Sequence, residues 1–222
     1  MGTLYLVRHG QASFGADNYD QLSPLGYQQS FRLGQYLKHR GVTFDAVLTG
    51  TLVRHAQTWE GIKDGGDFNH ERHSWSGLNE YDSQAVIASI HPETLPRPDT
   101  PELYKHHFRL LRKGLTLWMR GTQQPRGMPS YAEFSAEVQR VLDHVRENFD
   151  GTVLLISSGG PIATAVGQVL GTPCETTVEL NMRIRNSAVT EFSFNTKRHT
   201  LLTFNTLPHL DHPDDNGLIT YA

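Results

Sequence analysis

The stretch TLYLVRHG, residues 3–10, is a short, mostly apolar run that ends in arginine, histidine and glycine. Residues 3–7 are typical of a buried strand. In an open α/β sheet, ligands bind beyond the carboxyl ends of the strands, and Arg8 and His9 would lie there. A histidine at such a place can act as a nucleophile and an arginine can hold an anion, while Gly10 lets the backbone approach a ligand closely.

Strand and helix signals alternate along most of the chain. They predict a three-layer α/β/α fold with a mainly parallel sheet. Ser23 predicts the N-cap of an early helix, Ser130 and Glu133 predict a capping box, and Pro161 predicts the start of a later helix. The other strands are predicted at residues 46–49, 152–156, 188–195 and 199–205.

The middle of the chain has a different composition, because six of the 11 prolines lie between His91 and Ser130. One amphipathic helix is predicted among them, at about residues 102–120. We therefore predict a single domain over residues 1–222 with a cap insertion at about 65–129. Such a cap would cover one edge of the sheet and shape the access of a substrate.

The overall composition narrows the function classes. A chain of 222 residues with 37% hydrophobic residues suits one globular domain, and its net charge of -3 gives no general attraction for nucleic acid or anionic membranes. Cys174 is the only cysteine, so no intrachain disulfide can form, and no apolar run is long enough for a membrane span. These features predict a cytoplasmic protein that binds neither nucleic acid nor a membrane. They do not indicate an oligomeric state.

Three further stretches place polar groups next to predicted strands or helices. The stretch TGTLVRHAQT, residues 49–58, puts Arg54 in the first turn of a helix, where free N–H groups and the helix dipole favour an anion. The stretch SSGGP, residues 157–161, forms a glycine-rich turn suited to phosphate, and LNEYD, residues 78–82, offers Glu80 as a general acid. Each stretch also has a plain structural explanation: an exposed helix arginine, a tight turn and a solvated loop.

Taken together, these stretches resemble the histidine phosphatase superfamily, whose members have the phosphoglycerate-mutase-like fold. The resemblance covers essentially the whole chain. The matching pieces are the Arg-His-Gly opening, the SPLG helix start, the RHAQT block, the LNE loop and the GGP turn, at residues 8–10, 23–26, 54–58, 78–80 and 159–161.

This resemblance implies a role for four side chains. His9 would attack phosphorus and become a transient phosphohistidine, while Arg8 and Arg54 bind the nonbridging oxygens. Glu80 would protonate the leaving oxygen and then activate water. The resemblance implies no cofactor and no metal, because the arginines supply the positive charge. The expected ligand is a small phosphorylated metabolite, a phosphoprotein or inorganic phosphate.

The chain departs from the family pattern after the central strand. The family normally has a second histidine there, as Ser-His-Gly-Gly, whereas this chain has Ser158 at that position. Ser158 and Gly159 then become the candidates for binding phosphate. A hydroxyl is a weaker donor than a charged imidazole, and the loss corresponds to on the order of 10²-fold in rate.

The sequence is also compatible with other functions. A phosphate-binding protein with weak or no turnover would keep the pocket, and a phosphoglycerate-type mutase would return the phosphoryl group to another substrate oxygen. An acyl hydrolase with Ser158 as nucleophile is disfavoured, because Ile156 replaces the first glycine of the GxSxG pattern. His55 is predicted to be solvated. The candidates for extra anion contacts are Ser13, Asn18, Arg72, Arg97 and Arg109.

Overall fold

The structure is a computed structural model that describes residues 1–13, 20–93, 95–96 and 100–221. Its strands form one sheet of six, in the order β3-β2-β4-β1-β5-β6. The strands are β1 (Gly2–Arg8), β2 (Ala46–Thr49), β3 (Arg72–Ser74), β4 (Thr152–Ser157), β5 (Val189–Phe194) and β6 (His199–Thr206).

The helices of the described residues fall before, between and after these strands. The α-helices are α1 (Pro24–His39), α2 (Val53–Gly66), α3 (Ser83–Ala88), α4 (Pro101–Met119), α5 (Tyr131–Asn148), α6 (Gly159–Leu170) and α7 (Cys174–Asn181). Short 3₁₀ helices lie at Ser76–Leu78, Pro208–Leu210 and Pro213–Leu218. Within this described part of the chain, no helix combines the length and the apolar character that crossing a membrane requires.

The four strands from β3 to β1 are parallel, while β5 and β6 are antiparallel to their neighbours. Side chains alternate across the sheet, so each strand contributes to two cores. From β1, Leu4 and Leu6 pack in the core that includes α5 and α6, and Val7 packs in the core of α1 and α2. The predicted three-layer fold with a mainly parallel sheet is therefore confirmed.

The predicted helix starts follow from side-chain caps. The Ser23 side chain accepts a hydrogen bond from the N–H of Gly26, and Ser130 and Glu133 form both bonds of a capping box. Helix α6 begins at Gly159, two residues before the predicted Pro161, because Ser158 already has the extended backbone of an N-cap residue. Pro161 is still in the first turn, where proline is tolerated.

Part of the predicted insertion at 65–129 belongs to the sheet. Strand β3 lies at the sheet edge and pairs in parallel with β2, from Val47 opposite Arg72 to Thr49 opposite Ser74. Helices α3 and α4 follow, and they pack so closely that a Cβ on Gly114 would lie 2.8 Å from Val86 Cγ1. These two helices border the carboxyl edge of the sheet, where the candidate site lies.

Candidate active site

The ends of three parallel strands bring the predicted site residues together. Arg8 at the end of β1 lies opposite Ser157 at the end of β4, and Thr49 of β2 lies opposite Ile156. The residues that follow these strands therefore meet at one edge of the sheet. A cavity of about 890 Å³ opens there, and four of the predicted residues line it: Arg8, His9, Arg54 and Glu80.

His9 is oriented and uncharged. Its Nδ1 lies 2.7 Å from the carbonyl oxygen of Gly10, which assigns the ring proton to Nδ1 and leaves the lone pair on Nε2. The Nε–H of Arg54 donates to that Nε2 at 3.2 Å. Burial, followed by the positive charge of Arg8, lowers the pKa of His9 well below its usual value. The result is a neutral imidazole whose Nε2 is unprotonated and accepts a hydrogen bond from Arg54.

Two buried guanidinium groups flank this imidazole. Arg8 donates to the carbonyl oxygen of Ile184, and Arg54 pairs with Asp20 at 2.9 Å between Nη1 and Oδ1. Asp20 also accepts from the N–H of Val53 at 2.9 Å and so caps α2. Sequence reasoning missed Asp20, because it lies 33 residues before Val53 and no local pattern connects the two. The arginines form a positive site that suits a phosphoryl dianion.

Glu80 is held by two backbone N–H groups. Its Oε1 accepts from Gly160 at 3.0 Å and from Tyr81 at 3.3 Å. Burial raises the pKa of Glu80, although the charges of Arg8 and Arg54 and the two hydrogen bonds act in the opposite direction. A carboxyl group with a raised pKa keeps its proton to higher pH than an ordinary glutamic acid and can therefore donate it there.

The predicted solvation of His55 is wrong. The ring is fully buried, its Nε2 lies 2.8 Å from Ser158 Oγ, and its centroid is 5.7 Å from that of His9. Burial and the charge of Arg54 lower the pKa of His55 to about 3. The sequence signal that could have found this ring is Gly50, because only a residue without a Cβ leaves room for it.

Ser158 and Gly159 lie near the four cavity residues but are not among those that line the cavity. Their role as phosphate ligands therefore stays a prediction. The Ser158–His55 distance suits a nucleophile and a base, yet His55 Nδ1 has no hydrogen-bond partner in the described part of the chain. The third group that would orient such a base is thus missing there.

The other anion candidates lie away from the cavity or outside the described residues. Ser13 Oγ donates to the carbonyl oxygen of Leu22. Arg72 donates to Ser74 of β3 and to Thr49 of β2, and Arg109 donates to the carbonyl oxygen of Lys105 in α4. Asn18 and Arg97 lie outside the described residues. Among the residues that are described, no group of three His, Cys, Asp or Glu side chains could hold a metal ion.

Known proteins share this fold and parts of this sequence. A broad-specificity phosphatase of Saccharomyces cerevisiae is 36% identical over 61 residues, which is 25% of this chain and 26% of the yeast protein. A phosphoserine phosphatase mutant from Entamoeba histolytica, solved with phosphoserine, matches with a TM-score of 0.67 at 22% identity over 95% of this chain and 100% of that chain. A phosphoglycerate mutase from Bacillus anthracis matches with a TM-score of 0.66 at 17% identity over 94% of each chain.

The two solved structures show the shared fold. The yeast match is a local one, since the chain spans about a quarter of that relative. The family model of the histidine phosphatase superfamily (branch 1) matches residues 4–207, a range that includes most of β1, the other five strands, the two arginines, His9 and Glu80. The chain therefore belongs to the histidine phosphatase superfamily.

Proposed function

We propose that this protein is a phosphomonoester hydrolase that works through a phosphohistidine on His9. The observation that carries the proposal is the state of His9: a neutral ring, fixed through Nδ1, with Nε2 in contact with the buried Arg54 and with the buried Arg8 lining the same cavity. A nucleophile must have an unprotonated lone pair, and a phosphoryl group needs positive charge around its nonbridging oxygens. On substrate binding, Arg54 would move its N–H from Nε2 to a phosphoryl oxygen.

The proposed reaction has two steps. In the first, His9 Nε2 forms a bond to phosphorus as the bond to the leaving oxygen breaks, and Glu80 transfers its proton to that oxygen. In the second, Glu80 takes a proton from water, the water oxygen bonds to phosphorus, and the N–P bond breaks to release phosphate. Arg8 and Arg54 hold the nonbridging oxygens in both steps.

The alternatives are less well supported by the site. A phosphate-binding protein without turnover would gain nothing from a buried carboxyl group at its anion site, whereas Glu80 lines the cavity with His9 and burial raises its pKa. A phosphoglycerate-type mutase must hold a substrate that has a second anionic group. Among the described residues that line the cavity, Arg8 and Arg54 are the only lysines or arginines.

The cavity walls indicate the substrate class. Beyond the site residues, the lining comes mainly from the predicted insertion and has two parts. One part is apolar or aromatic: Leu52, Tyr81, Ile87, Ala88, Pro92, Leu95, Tyr104, Phe108 and Leu111. The other part is polar and includes two acidic side chains, which disfavour an anionic organic part: Asp82, Ser83, Gln84, His91, Glu93 and His107. We therefore propose a monophosphate ester with an apolar or aromatic organic part. Phosphoserine, which the Entamoeba structure holds, carries a charged ammonium and carboxylate instead.

The test is hydrolysis of 4-nitrophenyl phosphate from about pH 4 to about pH 8 by the native chain and by His9→Ala, with circular dichroism to establish that both are folded. We expect turnover that is lost in the variant, and a phosphorylated intermediate that accumulates in Glu80→Gln. Equal turnover in native protein and His9→Ala would exclude the phosphohistidine. No turnover in either would favour the phosphate-binding alternative.

The substrate class is tested separately. We expect kcat/KM for naphthyl phosphate to exceed that for 3-phosphoglycerate by at least about tenfold, the effect of burying two or more extra apolar carbons. Phe108→Asp should reduce this preference without lowering kcat for 4-nitrophenyl phosphate. A preference for 3-phosphoglycerate would contradict the proposed class.

A further inference from the structure

The ring of His55 fills a niche between two small residues at the carboxyl edge of the sheet. A Cβ on Gly50 would lie 2.1 Å from Nδ1 and 2.6 Å from Cε1 of the ring. On the other side, Nε2 lies 2.8 Å from Ser158 Oγ. Glycine at 50 and serine at 158 therefore leave the space in which a buried imidazole can sit next to His9.

The hydrogen bond between His55 and Ser158 has a preferred direction. His55 is neutral, because burial lowers its pKa to about 3, and it therefore carries a single N–H. Its Nδ1 is buried and has no partner among the described residues. A buried N–H without an acceptor is costly, and a lone pair without a donor is better tolerated. The proton therefore belongs on Nε2, and His55 donates to Ser158.

The Ser158 hydroxyl is not used in the way that is usual for its position. An N-cap serine normally accepts a hydrogen bond from an N–H in the first turn of its helix, but Ser158 makes no such bond to α6. Its Oγ is turned toward His55 instead. With Oγ as the acceptor from His55, the hydroxyl hydrogen is left to donate in another direction.

His9 and Ser158 directly follow two adjacent strands, β1 and β4. Arg8 lies opposite Ser157, and the N–H of His9 donates to the carbonyl oxygen of Ser157 at 2.9 Å. Ser158 directly follows the end of β4, so its side chain lies at the carboxyl edge of the sheet, where the His9 ring also lies. A phosphoryl group bonded to His9 Nε2 would bring acceptor oxygens to this edge.

We propose that His55 positions the Ser158 hydroxyl as a hydrogen-bond donor to the phosphoryl group on His9. This inference rests on the proposed phosphatase function and assigns it a positioning residue. In the family pattern, a histidine at position 158 would make this contact with the phosphoryl group. Here Ser158 makes the contact, and the imidazole of His55 in α2 supports it. Ser158 touches the phosphoryl group, and His55 acts through Ser158.

The experiment compares steady-state kinetics on 4-nitrophenyl phosphate for His55→Ala, Ser158→Ala and the double variant. Each single change should lower kcat by on the order of 10²-fold, the effect of removing one oxyanion donor, with little change in KM. The double variant should be no slower than either single variant, because the two residues act as a unit. His55→Gln keeps an N–H donor and should recover much of the rate.

A transfer of the imidazole gives the sharpest test. The double variant His55→Ala, Ser158→His removes the ring that α2 contributes and places a new imidazole at position 158, next to the space that the His55 ring had filled. This double variant should be faster than His55→Ala by at least about tenfold, whereas Ser158→His alone should be slow because two rings compete for one space. Failure of a folded transfer variant to exceed His55→Ala would overturn the proposal.

His209→Ala is the matched control. His209 is also buried, its pKa is also lowered to about 3, and its Nε2 lies 2.9 Å from Ser187 Oγ, but it does not line the cavity. The variant His209→Ala should have a lower melting temperature than the native chain and an unchanged kcat. If His55→Ala behaves in the same way, the pair is only structural. If the native chain has no His9-dependent turnover, the proposed function fails and this inference fails with it.

Discussion

Gly160→Ala should displace the carboxyl group of Glu80, the proposed general acid, without unfolding helix α6, which contains Gly160. A Cβ at this position would lie 2.3 Å from Glu80 Oε1 and 2.5 Å from Tyr81 Cδ1. The backbone is helical there, and alanine favours a helix more than glycine does. The substitution therefore acts mainly on the carboxyl group and the ring that face it.

The size of the effect follows from the overlap. Ordinary contact with a Cβ begins near 3.4 Å, so the carboxyl oxygen must move by about 1 Å. A displacement of about 1 Å can cost on the order of 10²-fold in rate. The hydrogen bond from the Gly160 N–H at 3.0 Å would be strained by the same movement.

The assay compares two leaving groups. The nitrophenolate of 4-nitrophenyl phosphate leaves with little need for a proton, whereas the phenolate of phenyl phosphate needs one more strongly. We expect Gly160→Ala to lower kcat/KM for phenyl phosphate by on the order of 10²-fold and that for 4-nitrophenyl phosphate by much less. Gly217→Ala is the control, because a Cβ there meets nothing within 4 Å.

Equal losses on both leaving groups would refute the reasoning, since they would mean that Glu80 transfers no proton to the leaving oxygen. Native rates on both would show that the position of the Glu80 carboxyl is not critical. The melting temperature separates these results from a loss of fold, because the Tyr81 ring must also shift.

Three further predictions concern pH and stability. The raised pKa of Glu80 keeps it protonated to higher pH than an ordinary glutamic acid, so kcat/KM should fall as pH rises through that pKa, and Glu80→Gln should remove this limb of the profile. Asp20→Ala should lower the free energy of unfolding by about 1 kcal/mol, as lost N-caps do, and should raise KM because Arg54 loses its partner. His55 and His209 have pKa values of about 3 when folded, against an ordinary 6.5, so the unfolded chain binds more protons between these values. The free energy of unfolding should therefore fall as pH decreases from about 6.5 to about 3, by up to about 1.4 kcal/mol per pH unit for each histidine, and acid titration of His209→Gln should show a smaller slope.

Most of the fold could be predicted from the sequence, because its central strands and long helices have strong local signals. The exceptions are short elements that tertiary contacts maintain. Strand β3 reads Arg-His-Ser, has no apolar residue and is exposed, so only its pairing with β2 makes it a strand. Helix α7 has eight residues, and its buried apolar side chain is Val178, too little for a periodic pattern.

The candidate site was predictable where a residue directly follows a strand or opens a helix. Arg8, His9 and Arg54 have such places, and Glu80 lies in a loop that the family motif identifies. Asp20 was not predictable, since its contacts with α2 come from a distant loop. The burial of His55 was predictable only in part: Gly50, which leaves room for the ring, is five residues away, but Ser158, which the ring contacts, is 103 residues away.

The serine at position 158 shows why a motif should be judged with its surroundings. The expected loss of about 10²-fold assumes that the missing imidazole leaves only a hydroxyl. In the structure, an imidazole lies 2.8 Å from that hydroxyl, in space that Gly50 leaves open. If His55 and Ser158 act as proposed, the loss of about 10²-fold in rate should be seen in the His55→Ala variant and not in the native chain. The native chain should then have the turnover of an ordinary phosphatase, and Ser158 would be one half of a donor whose other half comes from α2.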